Sequence, residues 1–118
     1  MHVGIIGVGL MGHGIALNIL KAGFSLILLD HPGNQPDSTL TGMGAERRPS
    51  SAAIAAEADL IILCVTGAPQ VEAVLTGENG VISALKEGTI IVDCSTSLPE
   101  TTEKMASLVT AAGGYFLD

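Results

Sequence analysis

The sequence predicts an α/β fold, a doubly wound parallel sheet of six strands covered by helices, within one domain spanning residues 1–118. Short runs of Val, Ile and Leu alternate with helical stretches, which is typical of parallel strands joined by helices. Apolar residues make up 47% of the chain, yet it has two Phe, one Tyr and no Trp. The core is therefore expected to be aliphatic, which suits a buried parallel sheet.

The first half of the chain is predicted to form two strands around a long helix, followed by an irregular stretch. The expected elements are a strand at His2–Gly7, a helix at Leu10–Ala22, a strand at Ser25–Asp30, a short helix near Ser38–Met43 and a brief strand near Ala45–Arg47. Gly23 supplies the stop of the first helix. Three prolines and three glycines between residues 31 and 49 favour loop conformation there.

The second half predicts two more central strands, each followed by a helix. The expected elements are a helix at Ala52–Ala58 capped by Ser50 or Ser51, a strand at Leu60–Val65, a helix at Pro69–Leu75, a short helical segment at Val81–Leu85, a strand at Thr89–Asp93, a helix at Pro99–Ala112 and a final strand at Tyr115–Asp118. The run LIILCV is continuous and apolar, as expected of a central strand.

The net charge, the length of the apolar runs and the cysteine spacing exclude several classes of function. The formal net charge is −7, and an acidic surface repels phosphate backbones, so we expect no nucleic-acid partner. No uninterrupted apolar run is long enough for a membrane helix, and we expect no membrane association. Cys64 and Cys94 lie in apolar strand contexts without metal-ligand spacing, which predicts two reduced, partly buried thiols in a cytoplasmic protein. A disulfide between neighbouring strand ends is the alternative.

A glycine-rich turn follows the first strand. The residues Gly7, Gly9 and Gly12 in the segment GVGLMG form a G-x-G-x-x-G pattern between a predicted strand and a predicted helix, which is the context that gives the pattern meaning. Gly7 permits a tight turn, Gly9 lets backbone approach a pyrophosphate, and Gly12 lets the helix pack on the strand. The free amides at the start of the helix, at Leu10 and Met11, would face the phosphates. This pattern predicts a Rossmann-type dinucleotide site.

An acidic residue at the end of the second strand completes the pattern. Asp30 lies 18 residues after Gly12, where a carboxylate can accept hydrogen bonds from the ribose hydroxyls of NAD and would repel the 2′-phosphate of NADP. His31 follows Asp30, and an imidazole is a poorer phosphate clamp than an Arg at this position would be. We therefore expect NAD as the cofactor, with NADP less favoured.

Several segments together resemble the β-hydroxyacid dehydrogenases, the family that includes 3-hydroxyisobutyrate dehydrogenase, tartronate semialdehyde reductase and 6-phosphogluconate dehydrogenase. The segments GIIGVGLMGHGIALNILKAG and VEAVLTGENGVISALKEGTIIVDCSTSLPETT carry the resemblance. The chain departs from the family pattern at Gly14 and Ile15, where Pro and Met are usual. Val65 and Thr66 stand where a Leu-Pro pair is usual.

The resemblance assigns roles to residues that follow the fourth and fifth strands. It implies that the backbone at Val65 and Thr66 borders the cofactor, that Thr96 lies beside the nicotinamide ribose, and that Ser95 lies next to the reacting centre as a substrate residue. The carboxyl ends of strands are also where open α/β sheets bind ligands. A purely structural interpretation remains open, in which Ser95 and Thr96 tie down a turn and a helix entry.

The resemblance implies a function that this chain does not complete. In the family, a later segment binds the substrate carboxylate, and a second, helical domain supplies the catalytic Lys and Asn; neither is in the sequence. The chain has three lysines, Lys21, Lys86 and Lys104, all expected at solvated helix ends or turns, so no catalytic residue is assigned. The expected function is the NAD(P)-binding domain of an oxidoreductase for a small β-hydroxyacid, of the 3-hydroxyisobutyrate or 2-hydroxy-3-oxopropionate type, inactive alone.

Two other functions are compatible with the sequence. The chain could instead be a non-catalytic dinucleotide-binding module, or part of another Rossmann enzyme such as a 3-hydroxyacyl-CoA dehydrogenase or a ketol-acid reductase. The segment DCSTSLP favours the oxidoreductase interpretation, because a cofactor sensor needs no hydroxyls near the nicotinamide.

With the helical domain absent, the sixth strand is expected to present an uncovered edge that invites self-association.

Overall fold

The computed structural model describes all 118 residues and contains a six-stranded sheet in which every neighbouring pair of strands is parallel. The order across the sheet is β3-β2-β1-β4-β5-β6. The strands are β1 (His2–Ile6), β2 (Ser25–Leu29), β3 (Glu46–Arg48), β4 (Leu60–Leu63), β5 (Ile90–Asp93) and β6 (Tyr115–Leu117). This is the doubly wound Rossmann topology, and the predicted fold class is confirmed.

Helices cover both faces of the sheet and divide the core into two layers. They are α1 (Leu10–Lys21), α2 (Ser38–Gly42), α3 (Ser51–Glu57), α4 (Ala68–Thr76) and α5 (Pro99–Ala111), with a 3₁₀ turn at Val81–Ala84. On one face, α1 and α2 pack over buried residues of β1 and β2, among them Ile5 and Leu28. On the other face, α3, α4 and α5 pack over a layer that includes Ile61 and Ile91. The core is aliphatic, as the composition predicts.

Each predicted element is present, and the bounds differ by one or two residues. Strand β1 ends at Ile6 because Gly7 turns the chain with φ of +98°. Strand β3 is shifted by one residue from the prediction, since Ala45 closes α2 by donating from its amide to Leu40 O at 3.0 Å. Of the two candidate caps for α3, Ser50 is the one that accepts a hydrogen bond, from Ala53 N at 3.1 Å.

Strand β4 is shorter than predicted because its continuation bonds elsewhere. It ends at Leu63, and the amide of Val65 donates to the hydroxyl of Ser95 at 2.8 Å rather than to a strand partner. Cys64 and Cys94 follow β4 and β5 and are free thiols. Cys64 is half-buried as predicted, whereas Cys94 is exposed, which corrects the expectation that both are partly buried. None of the helices has the length and apolarity needed to span a bilayer.

Candidate functional site

Two of the three motif glycines are required by the packing of the protein itself. A Cβ at Gly7 would lie 2.2 Å from the carbonyl oxygen of Cys64, and the φ of +98° at Gly7 is one that other residues rarely adopt. A Cβ at Gly12 would lie 2.0 Å from the carbonyl oxygen of Gly7. These glycines let α1 begin directly against the ends of β1 and β4.

Gly9 differs, because nothing in the protein lies within 4 Å of the Cβ that it lacks. Its φ of −76° is also open to any residue. The fold does not demand glycine there, so the open space above its backbone suits the close approach of a ligand. Gly9 is the N-cap of α1, and no side chain caps that helix.

The first amides of α1 are unpaired. Within the protein, the amides of Leu10 and Met11 donate to no backbone or side-chain acceptor, and their side chains are 84% and 56% exposed. Unpaired amides at a helix N-terminus, aligned with the helix dipole, form an anion site. The geometry of Gly9, Leu10 and Met11 therefore suits the approach of an anion.

An apolar cleft of about 320 Å³ opens beside this turn, at the carboxyl ends of β1, β2 and β4. Its apolar walls come from Leu29, Val65 and Val74, and the predicted residues Gly7, Gly9, His31, Val65 and Thr66 all line it. A planar heterocycle fits a slot with such walls. Gln70 and Cys64 also line this cleft, and neither was predicted to do so. Burial raises the pKa of the Cys64 thiol, with further contributions from Cys94 and Asp93.

Asn34 joins the loop after β2 to the glycine turn. Its Oδ1 accepts a hydrogen bond from Val8 N at 3.3 Å, and its Nδ2 donates to Leu29 O at 2.9 Å. The next residue, Gln35, donates from its amide to Val8 O at 2.7 Å. These bonds hold the loop over the mouth of the cleft. No local sequence pattern marks Asn34 as a site residue, because only its bond to Val8, 26 residues away, reveals its position.

A second, polar cleft of about 300 Å³ adjoins the first, and His31 and Asn34 line both. Asp30 lines this polar cleft, is exposed, and its carboxylate accepts no hydrogen bond from the protein. The Nδ1 atom of His31 accepts from Gly33 N at 2.9 Å, so the imidazole is turned onto its own loop. The Asp30 carboxylate is thus free to accept hydrogen bonds from a ligand.

Ser95 and Thr96 lie outside both clefts, in the loop after β5. The hydroxyl oxygen of Ser95 accepts from Val65 N at 2.8 Å, and the Ser95 amide donates to Asp93 Oδ1 at 2.9 Å. Thr96 is exposed, and its carbonyl oxygen lies near Gly67 at the start of α4. The two loops after β4 and β5 are therefore held together at the same edge of the sheet as the apolar cleft.

No lysine lines either cleft. Lys86 donates from Nζ to Glu57 O and Asp59 Oδ1, both at 3.1 Å, and Lys104 donates to Glu72 at 2.7 Å. Lys21 is exposed at the last turn of α1. The expected surface positions of the lysines are confirmed.

Residues 2–118 match the family model of the NAD binding domain of 6-phosphogluconate dehydrogenase. The chain is also 37% identical over 118 residues to 2-hydroxy-3-oxopropionate reductase of Escherichia coli, covering 100% of this chain and 40% of that protein. The chain belongs to the β-hydroxyacid dehydrogenase family. The resemblance that the sequence carries is thereby confirmed.

Solved structures also superpose on nearly the whole chain. 3-Hydroxyisobutyrate dehydrogenase from Salmonella typhimurium superposes with a TM-score of 0.88 at 32% identity, covering 98% of this chain and 40% of that one. Psf3 in complex with NADP+ and 2-OPP superposes with a TM-score of 0.83 at 28% identity, covering 97% and 40%. The chain spans about two fifths of these proteins, the part that forms an NAD(P)-binding domain.

The residues of this β-hydroxyacid dehydrogenase domain fit a dinucleotide. The unpaired amides of Leu10 and Met11 suit a pyrophosphate, and the gap over Gly9 leaves it room. The apolar cleft suits a base, and the free carboxylate of Asp30 suits ribose hydroxyls.

Proposed function

We propose that this chain holds NAD, in preference to NADP, as the cofactor-binding part of an oxidoreductase for a small β-hydroxyacid. The observation that carries the proposal is the pair of unpaired amides at Leu10 and Met11, beside the open space over Gly9. In the proposed complex the adenine lies in the apolar cleft, and its ribose lies on Asp30. The relatives named for 2-hydroxy-3-oxopropionate and 3-hydroxyisobutyrate support a substrate of that type.

Ser95 and Thr96 are proposed to border the nicotinamide and the substrate. Since the Ser95 oxygen accepts from Val65 N, its hydroxyl proton remains available to donate to a substrate oxygen. Thr96 is exposed beside the start of α4, where it can contact the nicotinamide ribose. Val65 and Thr66 are proposed to border the cofactor from the loop after β4.

The same proposal predicts binding without turnover. Reduction of a carbonyl by hydride transfer needs a proton donor for the developing alkoxide. No lysine lines the clefts of this chain. Incubation with NAD and 3-hydroxyisobutyrate should therefore produce no NADH, although NAD binds.

The first prediction compares two glycines on the same helix. Gly9→Ala should weaken NADH binding by about tenfold or more, since a methyl group in a tightly packed contact costs roughly 1–3 kcal/mol. Gly14→Ala is the matched control, because a Cβ at Gly14 also meets nothing within 4 Å. Gly14→Ala should leave NADH affinity unchanged. Calorimetric titration with NADH and NADPH measures both.

Two results of this titration would contradict the proposal. Failure of the unmodified chain to bind either nucleotide would remove the proposed cofactor site. Equal losses in the Gly9 and Gly14 variants would show that the open space over Gly9 does not face the nucleotide. Circular dichroism of each variant verifies that the helix is intact.

A non-catalytic dinucleotide-binding module is the second candidate. The engagement of the Ser95 oxygen with Val65 N favours it, because this bond has a purely structural use. Binding of a β-hydroxyacid that strengthens when NAD is already bound would support the oxidoreductase. Tight NAD binding with no effect of any hydroxyacid would support the module.

We also infer a reducing compartment, the cytoplasm, for this protein. Cys64 and Cys94 follow neighbouring strands and are both free thiols, a state that reducing compartments maintain. Thiol labelling of freshly lysed cells should find both cysteines reduced. A stable disulfide in that sample would argue for an oxidising compartment.

A further inference from the structure

The polar cleft beside Asp30 contains a cation that the cofactor pattern does not account for. Apart from Pro36, its lining consists of polar and charged residues, namely Asp30, His31, Asn34, Gln35, Asp37 and Arg47. Two carboxylates and one guanidinium thus surround the space next to the proposed ribose position. A guanidinium is the side chain best suited to bind a phosphate group.

The sheet register places Arg47 on the same face as Asp30. In the pairing of β2 with β3, Arg47 lies opposite Leu28, which packs in the layer under α1 and α2. Side chains alternate along a strand, so Asp30, two residues after Leu28, shares that face. The amide of Asp30 also donates to Arg48 O at 2.9 Å, which keeps the two strand ends adjacent.

Asp37 holds Arg47 by a two-pronged ion pair. Arg47 Nε donates to Asp37 Oδ2 at 2.8 Å, and Nη2 donates to Oδ1 at 2.6 Å. The Asp37 side chain is 14% exposed and the Arg47 side chain is 50% exposed. The guanidinium therefore has two of its donors occupied, on a side chain that is half exposed to solvent.

We propose that Asp37 sets the choice between NAD and NADP by retaining Arg47, which would otherwise bind a 2′-phosphate in the polar cleft. The inference rests on the proposed function, since it concerns the ribose end of the same cofactor. With Asp37 ionised, the cleft has two negative charges against one positive, and a 2′-phosphate is repelled. When the Asp37 charge is removed, the positive charge of Arg47 balances the negative charge of Asp30. The freed guanidinium can then form a bidentate contact with the phosphate.

Asp37 and Arg47 each stabilise the charged form of the other, as expected if Asp37 retains Arg47. The hydrogen bonds from Arg47 lower the pKa of the Asp37 carboxyl, and the Asp37 carboxylate raises the pKa of Arg47. The Asp30 charge also acts on Arg47, as expected of groups that share one cleft. Both members of the pair are thus fully charged at neutral pH.

The test measures nucleotide binding to the chain by calorimetry, with NADH and NADPH as probes. Asp37→Asn should raise the NADPH affinity relative to NADH on the order of tenfold. Adding Arg47→Gln to that variant should abolish the gain. Raising the salt concentration should shrink the gain, because the contact is electrostatic and partly exposed.

A neighbouring ion pair supplies the matched control. Arg48 pairs with Glu57 on the opposite face of the sheet. Glu57→Gln changes the net charge of the protein by the same amount as Asp37→Asn, but it weakens the pairing of a guanidinium outside the cleft, and Arg48 keeps Glu46 as a second partner at 3.1 Å. This substitution should leave the NADPH-to-NADH ratio unchanged, which separates a local contact from a general charge effect.

Each outcome decides for or against the inference. The inference would be overturned if a folded Asp37→Asn variant kept the same ratio of NADPH to NADH affinity, or if Glu57→Gln raised that ratio equally. In either case, NADH binding by the unmodified chain would still uphold the proposed function. Loss of both nucleotides by the unmodified chain would refute the proposed function itself. If Asp37→Asn unfolds, Asp37→Ser takes its place, because it also removes the carboxylate that holds Arg47, and an unchanged NADPH-to-NADH ratio in that variant would overturn the inference.

Discussion

Ser95 and Thr96 are adjacent residues with different surroundings. The resemblance assigns both to the nicotinamide end of the site, and the structure shows that the Ser95 oxygen accepts a hydrogen bond from Val65 N, whereas Thr96 is exposed. A hydroxyl can stabilise a loop and contact a substrate at once, since it both accepts and donates. The sequence cannot separate these roles, because both use the same atom.

Ser95→Ala is therefore expected to destabilise the protein. The substitution leaves the part-buried amide of Val65 without its acceptor, which costs about 1–3 kcal/mol of unfolding free energy. Thr96→Ala, at an exposed neighbour, should change stability by less than about 0.5 kcal/mol. Urea unfolding monitored by circular dichroism measures both. Equal stability of the two variants would contradict the structural role of Ser95.

The first and fourth strands are joined at their amino ends by Asp59. Its Oδ2 accepts from His2 N at 2.8 Å, and its Oδ1 accepts from Lys86 Nζ at 3.1 Å. The hydrogen bond from the His2 amide lowers the pKa of this carboxyl below its usual value of 3.8, and the hydrogen bond from Lys86 lowers it further by a smaller amount. The carboxylate thus links β1, β4 and the turn before β5 at the edge of the sheet opposite the cofactor cleft.

This link should weaken in acid. Because the pKa of Asp59 is lower in the folded state, its contribution to stability is present above the unfolded value of 3.8 and is lost as the pH falls below it. The free energy of unfolding should therefore fall as the pH drops below about 4, and the fall should be shallower in Asp59→Asn. Glu78→Gln removes an exposed carboxylate without a protein partner and is the control. An identical pH profile for Asp59→Asn and the unmodified chain would contradict the prediction.

The sheet as a whole is covered unevenly. Phe116 packs with α5 in the core layer on one face, so Tyr115 and Leu117 point to the other face, where they are 63% and 56% exposed. Strand β6 pairs only with β5, and its outer edge keeps unpaired backbone groups. An apolar edge strand of this kind is a template for pairing with a second chain.

We expect the chain to self-associate through this edge. Light scattering should show a mass that rises with protein concentration, and Leu117→Lys should suppress the rise, because a charged edge residue opposes strand pairing. Met43→Lys is the matched control, since Met43 is an exposed apolar residue beyond the end of α2, on the far side of the sheet. A monomeric mass across a wide concentration range would contradict the expectation, as would equal suppression by both variants.

The order and kind of all the secondary-structure elements followed from local patterns in the sequence. Continuous aliphatic runs such as that of β4 predict buried parallel strands, and a glycine between a strand and a helix predicts a tight turn. Such signals depend on a few adjacent residues, which is why the positions of Gly7, Gly9 and Asp30 could be predicted. The strand ends were less certain, because a bond from a distant loop, as at Val65, decides where pairing stops.

By itself, the sequence determined a Rossmann domain with a glycine turn and an acidic residue after the second strand. The tertiary structure alone decided that Asn34 closes the turn through Val8 and that Ser95 anchors the amide of Val65, contacts between residues 26 and 30 positions apart. It also decided that Arg47 shares a cleft with Asp30. These contacts arise because the strand order β3-β2-β1-β4-β5-β6 places the segments at the ends of neighbouring strands side by side, and which strands become neighbours depends on packing of the whole chain rather than on local propensity.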